Sequence, residues 1–501
     1  MNVQLRQILL YTKAAKLCTF AYKVLNTKTI NDISESLEKK FMDVLVQPKI
    51  QKETWESIRK YVIDLSVHPS IVDPLLLNVL KEKKLVDVGI SYYQFLAKNN
   101  YDLTVTTQTY FLELYEYKGT INKKDEKCIL SLYEHFMDKY TSFEIKMSST
   151  LVKNLCNIGE WRKAITVIQK FEKNDTAFLR YAYDDLISYL YNCGEADKAY
   201  EYLVISFKKG SGPMEPAYRS YLKYHLTYKH TVNKKIEELF SLWRQYGVNP
   251  SEQTILEYTA VCNNLGWSAK QAKLEGMECS VCKQKLLDTL SDKDYERLCK
   301  ITEQKLIFEM MYYVSDPIEI RQFIKFVNAG KPYDVIIDGL NFIYGNINGY
   351  KRLGENLVHN KKKGKKVLVI ARKHVKPMIQ KMNFEKLANY FFFENLSKDD
   401  PFILYAAFAS GRNCKILSND LMRQHKFAIG DTELNVLFKR WQILQQCTFN
   451  KQDTMLRQNV SVDGIAYKQL NCWHIPYKLN SIQPRRSNIF KSSWMCFNMC
   501  P

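Results

Sequence analysis

Four aspartates stand just past short apolar runs. Asp338 follows "VII" (335–337), Asp399 and Asp400 lie a few residues beyond "FFF" (391–393), and Asp420 follows "ILSN" (416–419). If those runs are strands of one parallel sheet, their carboxyl ends open onto a single crevice, where such sheets bind ligands. Four converging carboxylates repel one another unless a hard divalent cation sits among them, and oxygen ligands with open positions suit Mg²⁺ or Mn²⁺. A site of that kind activates water and stabilises in-line attack on a phosphodiester. Taken singly, each acid has a plainer use as a helix N-cap, and Asp400 before Pro401 suits that use well. A second pattern is Cys279-x-x-Cys282 in "MECSVCKQK". Two such thiols are half of a tetrahedral zinc site or a redox pair.

The elements that must position the acids are strands at 334–338, 366–371, 390–393 and 414–418, with helical stretches such as "DPFILYAAFAS" between them. Short apolar runs alternating with helices predict a parallel sheet covered on both faces. A phosphatase of the haloacid-dehalogenase kind wants Asp-X-Asp, whereas Asp334 and Asp338 are four apart. Upstream, residues 35–330 read as successive helices, with apolar residues at three- and four-residue spacing. "NIGEWRKA" (157–164) and "NCGEADKA" (192–199) repeat at an offset of 35, and "NLGWSAKQA" (264–272) is a looser third copy. In each, Gly marks the turn of a helical hairpin and Lys-Ala the start of the next helix. A period of 35 predicts a solenoid of stacked hairpins. It resembles pentatricopeptide repeats, which implies RNA binding. Tetratricopeptide repeats, which bind proteins, have a similar period.

The whole chain agrees with such a partner. Its 501 residues predict two to four domains, and 46% hydrophobic residues are enough for their cores. No stretch approaches the roughly 20 apolar residues of a membrane helix, so a soluble protein with no membrane partner is expected. A net charge of +20 and 33 tyrosines favour nucleic acid. Thirteen cysteines, mostly scattered through apolar segments, suit reduced thiols in a reducing compartment. The first acid is Asp32, and the basic, amphipathic segment before it resembles a mitochondrial transit peptide.

"DGLN" (338–341), "DDPFILYAA" (399–407) and "NDLMRQHK" (419–426) resemble the motifs of the nuclease domain of protein-only RNase P, the animal mitochondrial branch above all. The resemblance implies a pentatricopeptide solenoid, a zinc-stapled central domain and an NYN/PIN-like metallonuclease domain. It implies metal-binding catalytic roles for Asp338, Asp399, Asp400 and Asp420, with Asn341 and His425 in support. "NCWHIPYK" and "SSWMCFNMC" resemble the family's paired WH and WxC motifs, so that His474 and Cys496 join Cys279 and Cys282 in a Cys₃His zinc site. Cys472 and Cys500 stand close enough in sequence to replace a ligand. The implied division is a transit peptide at 1–35, repeats at 36–260, a central domain in two halves (261–330 and 465–501), and the nuclease domain at 331–464. Two departures from the family pattern are Gln424, where an acid is usual, and "FKRWQILQQC" (438–447), which lacks a Gly-His.

By the same resemblance the reaction is Mg²⁺-dependent removal of the 5′ leader from precursor tRNA in the mitochondrial matrix. A tRNA methyltransferase and a short-chain dehydrogenase are the implied partner subunits. An RNA-binding factor with an inert or partner-activated nuclease domain is the alternative. The charge runs "HNKKKGKKV" (359–367) and "QPRRSNIFK" (483–491) are solvated faces or contacts to the acceptor stem.

Overall fold

The computed structural model describes residues 32–499 apart from short stretches, of which the longer are 305–315, 395–399, 421–430, 449–456, 459–463 and 480–492. Asp399, Gln424, His425, Cys500, the N-terminal basic segment through residue 31 and the 483–491 charge run lie outside the described residues. The chain forms two compact units, Met1–Cys193 and Gly194–Pro501.

The described residues of the first unit are helical. The helices Pro69–Glu82, Val105–Leu114, Ile145–Asn157 and Thr176–Asn192 pack in a row, each on the next, while the alternate helices Val86–Lys98, Lys123–Lys139 and Trp161–Phe171 connect them. Stacking of every second helix is the signature of a hairpin solenoid, in which each repeat buries its apolar face on its neighbours. Gly159 ends one helix at φ +84°, donating its N–H to Cys156 O, and the next residue, Glu160, reaches Leu155 O at 2.9 Å. That left-handed residue is why glycine recurs at the turn. Gly194 has the same φ in the second copy.

In the second unit, four helices (Ala196–Lys208, Glu215–Leu226, Val232–Tyr246 and Glu252–Asn264) precede the first strand. The third repeat copy departs from expectation here. Gly266 turns the chain at φ +86°, but the following segment is a strand, β1 (Ser268–Ala272), not a second hairpin helix. Residues 268–279 therefore break the run of helices expected to 330. A short hairpin follows, β2 (Leu274–Glu275) and β3 (Glu278–Cys279).

The expected parallel sheet is present. β4 (Val335–Asp338), β5 (Val367–Arg372), β6 (Asn389–Phe393), β7 (Lys415–Leu417) and β8 (Gln446–Thr448) run parallel, with β9 (Arg457–Gln458) antiparallel at the edge. Their order is β6-β5-β4-β7-β8-β9. Side chains alternate between two cores. Ile336, Leu368, Ile370 and Ile416 pack under the helices Pro317–Gly330, Asp400–Ser410 and Thr432–Gln445. Val335, Ile337, Val369 and Leu417 face Gly339–Gly345 and Gly349–Lys362 instead. Burial on both faces explains why the strands read as unbroken apolar runs. β8 and β9 were not legible, being short and rich in polar residues.

A second, antiparallel sheet is formed by β1, β12 (Ser493–Asn498), β11 (Cys472–Tyr477) and β10 (Tyr467–Gln469), in that order. It joins the chain before the parallel sheet to the chain after it. Among the described residues, no single helix is long and apolar enough to cross a membrane.

Candidate metal centres and the sheet edge

The strand order reverses between β4 and β7. From β4 the chain moves outward through β5 and β6, then returns to the other side of β4 as β7. Successive crossovers diverge at that point and leave a crevice at the carboxyl ends, the usual ligand site of such a sheet. Asp338 is the last residue of β4, and Asp420 lies three residues beyond the end of β7. Asp400 is the first residue of the helix Asp400–Ser410, which runs back along β4 and β7, so its N-terminus meets the same edge.

Asp338 is buried, and both its oxygens are held. Oδ1 accepts from the Asn341 backbone N–H at 3.0 Å, capping the helix Gly339–Gly345, and Oδ2 accepts from Ser418 Oγ at 2.8 Å. Ser418 in turn accepts from the Asp420 backbone N–H at 3.1 Å, so one hydroxyl links two of the acids. Gln446 Nε2 donates to the carbonyls of Ser418 and Asp420, both at 2.7 Å, and Gln442 Nε2 donates to Gln446 Oε1 at 2.6 Å. All three supporting side chains are buried. Sequence reasoning passed over Ser418, Gln442 and Gln446. Nothing in "ILSN" or "RWQILQQC" distinguishes them until the helix Thr432–Gln445 and β8 are laid beside β7.

The three described aspartates reach one edge without closing into a tight cage. Among the described residues, a single group of His, Cys, Asp or Glu side chains has all its ligand atoms within 4.8 Å of one another, and it lies elsewhere. Asn341 meets Asp338 through its backbone N–H.

That group is Cys279, Cys282, His474 and Cys496. Strand register explains it. His474 on β11 sits opposite Cys496 on β12, and Cys279 ends β3 with Cys282 in the turn after it. The turn is closed by Cys279 N–H to Gln284 O and Lys283 N–H to Cys279 O, both 3.0 Å, with Lys283 at φ +60°. On the opposite face of the same strands, Trp473 and Phe497 pack against Phe240 at 5.8 and 4.9 Å. One face of the sheet is thus core and the other carries the ligands.

Cys282 Sγ lies 3.1 Å from His474 Nε2, and His474, Cys279 and Cys496 are fully buried. Burial holds the imidazole near pKa 4, neutral and able to ligate. Burial pushes the Cys496 thiol up, with Cys279 and Cys282 nearby adding to it. Three thiols, two of them buried, and a neutral imidazole fit a tetrahedral zinc, whose ligand atoms stand about 3.5–4 Å apart for bonds of about 2.0–2.3 Å. Cys472, also buried, contacts the Cys282 and Cys496 thiols without belonging to the four.

Fold and site together define a class: a helical-repeat protein whose parallel α/β domain is bracketed by a Cys₃His cluster, with aspartates at the switch point of the sheet. Residues 274–496 match the family model "Protein-only RNase P", a span that runs from just before Cys279 to Cys496 itself. Over that span the chain is similar to the protein-only RNase P family. It is 26% identical over 469 residues to the mouse "Mitochondrial ribonuclease P catalytic subunit", covering 88% of this chain and 77% of that protein. The rat protein of the same name is 26% identical over 490 residues, covering 89% and 78%. The crystal structure of nuclear proteinaceous RNase P 2 from Arabidopsis thaliana has the same fold, with a TM-score of 0.56 at 17% identity. That match covers 87% of this chain and all of that one.

Proposed function

We propose that this protein is a mitochondrial endoribonuclease that removes the 5′ leader from precursor tRNA by hydrolysis, leaving a 5′-phosphate on the tRNA. The observation that carries the reading is the family match over 274–496, a segment that includes both the cysteine–histidine cluster and every strand-end aspartate. The mouse and rat relatives are named catalytic subunits, which favours an active enzyme over an inert RNA-binding factor. The reading extends to the matrix as location, and to a tRNA methyltransferase and a short-chain dehydrogenase as partner subunits. It divides the chain into a targeting segment (1–35), repeats (36–260), a zinc-stapled central domain (261–330 with 465–501) and the nuclease domain (331–464).

Asp338, Asp399, Asp400 and Asp420 would hold Mg²⁺ or Mn²⁺, an all-oxygen set suited to hard cations. When bound, the metal lowers the pKa of water and offsets charge on the phosphate. The chain's own part is positioning. Ser418 and the Asn341 N–H fix the Asp338 carboxylate, and Gln446 fixes the backbone that presents Asp420. Asn341 and His425 are assigned supporting roles. Cys279, Cys282, His474 and Cys496 would hold a structural zinc, whose binding energy stabilises a small domain with little core of its own.

Purified protein, with and without candidate partner subunits, should cut precursor tRNA at the 5′ boundary in Mg²⁺. Asp338→Asn and Asp420→Asn should bind precursor tRNA and not cut it. Near-normal cutting by either variant, or cuts scattered away from the tRNA boundary, would overturn the proposal.

A further inference from the structure

Among the described large apolar and aromatic side chains of the α/β domain, Tyr344 and Ile347 are the most exposed, at 65% and 58%. Tyr344 sits in the last turn of the helix Gly339–Gly345, whose N-cap is Asp338. It is paired with a residue from the neighbouring strand. His374 follows the carboxyl end of β5, and its Nε2 lies 3.2 Å from the Tyr344 hydroxyl, the rings 6.3 Å apart and tilted by 33°. Both residues therefore stand at the same sheet edge as Asp338, on its β5 side, whereas Asp420 lies on its β7 side.

The loop behind Tyr344 is well fixed. Asn346 Nδ2 donates to Phe342 O at 2.6 Å, and Arg352 donates to Asn346 Oδ1 at 3.2 Å. A Cβ on Gly349 would stand 1.8 Å from Ile343 O, so only glycine lets the next helix start so close. Of the lysines flanking His374 in the chain, Lys373 is ion-paired with Glu394, while Lys376 is exposed. A rigid helix end thus presents an aromatic side chain to solvent at the candidate catalytic edge, and the exposed Lys376 follows its partner His374 by two residues.

We propose that Tyr344 is a stacking platform for an unpaired nucleobase of the RNA leader next to the cleaved phosphodiester. His374 orients the ring, and Lys376 meets a neighbouring phosphate. The assignment rests on the nuclease reading above. An aromatic face accepts any base, as a leader of variable sequence requires, provided the strand is single. On the tRNA side of the cut the bases are already stacked in the acceptor stem, so the free faces belong to the leader.

The test uses precursor tRNA carrying 2-aminopurine as its last leader nucleotide, bound in Ca²⁺ in place of Mg²⁺, alongside cleavage kinetics in Mg²⁺. Wild type and Tyr344→Trp should quench the probe; Tyr344→Ala should not, and its KM should rise about tenfold with a smaller change in kcat. Tyr344 is exposed, so the variant's melting temperature should match wild type. Equal quenching by wild type and Tyr344→Ala, or equal KM for the two, would overturn the platform. If wild type quenches through Tyr344 yet never cuts precursor tRNA, the nuclease reading fails and the platform stands.

Discussion

Asp338 performs two tasks with two oxygens: Oδ1 caps a helix, and Oδ2 is held by Ser418 at the switch point. The plain capping role and the metal-binding role are therefore compatible, because the cap fixes the rotamer that aims the carboxylate. Ser418 supports the candidate ligands from outside, and such partners tune affinity more than they create it. Ser418→Ala should raise the Mg²⁺ concentration for half-maximal cleavage by about 10-fold or more, while precursor tRNA affinity changes little. A titration with an unmoved Mg²⁺ midpoint would show that the Ser418 hydroxyl is not needed. In the first unit, Asp185 is pushed up to about 7, chiefly by burial, with Asp184 and Glu116 adding and Lys153 opposing. Between about pH 4 and 7 the folded protein keeps a proton there that the unfolded chain has lost, so this residue's contribution to stability falls as pH rises through that window. Asp185→Asn should flatten that fall: its melting temperature should stay near that of wild type at about pH 5 and exceed it at about pH 8.

At the scale of elements, a small sheet and a short hairpin build the cysteine–histidine cluster. β1 precedes the α/β domain in sequence, β11 and β12 follow it, and their pairing brings the ends of an inserted domain together. Cys496→Ser or His474→Ala should reduce bound zinc from one per chain to near zero and lower the melting temperature, with chelator reproducing the loss in wild type. Unchanged zinc content in both variants would remove the site. The helix Gly339–Gly345 depends on a missing side chain. A Cβ at Gly339 would stand 2.9 Å from Ile370 O and 2.8 Å from Ala371 Cβ. Gly339→Ala should cost about 1–3 kcal/mol in denaturant unfolding of the second unit, and more in cleavage, because Asp338 is its neighbour.

Across the whole molecule, the direction of the strands sorts the charge. The helix Gly349–Lys362 ends in His359, Lys361 and Lys362, and Lys363 and Lys365 follow before β5 starts. This run lies at the amino edge of the sheet, opposite the aspartates, and so away from the proposed cleavage site. Replacing Lys361, Lys362, Lys363 and Lys365 with alanine should leave kcat unchanged and weaken precursor tRNA affinity, with a shallower salt dependence if the run touches phosphate. A large drop in kcat would contradict that placement. The helices Ala196–Lys208 and Val232–Tyr246 belong to the second unit, where they pack on Thr432–Gln445, and Arg440 donates to Arg244 O at 2.8 Å.

The amino-acid sequence by itself determined the local grammar: unbroken apolar runs of strand length, glycines that end hairpin helices, the acids after each run and the first pair of thiols. Those signals are short-range, so propensity and spacing are enough to read them. Tertiary structure alone decided which strands are neighbours, that Ser418 bridges two acids, and that buried glutamines support them. It also made the third repeat copy a strand, because Ala269 and Ala272 find a partner in β12 more than two hundred residues away. Pairing of that kind depends on residues far apart in the chain, and no local window contains both halves.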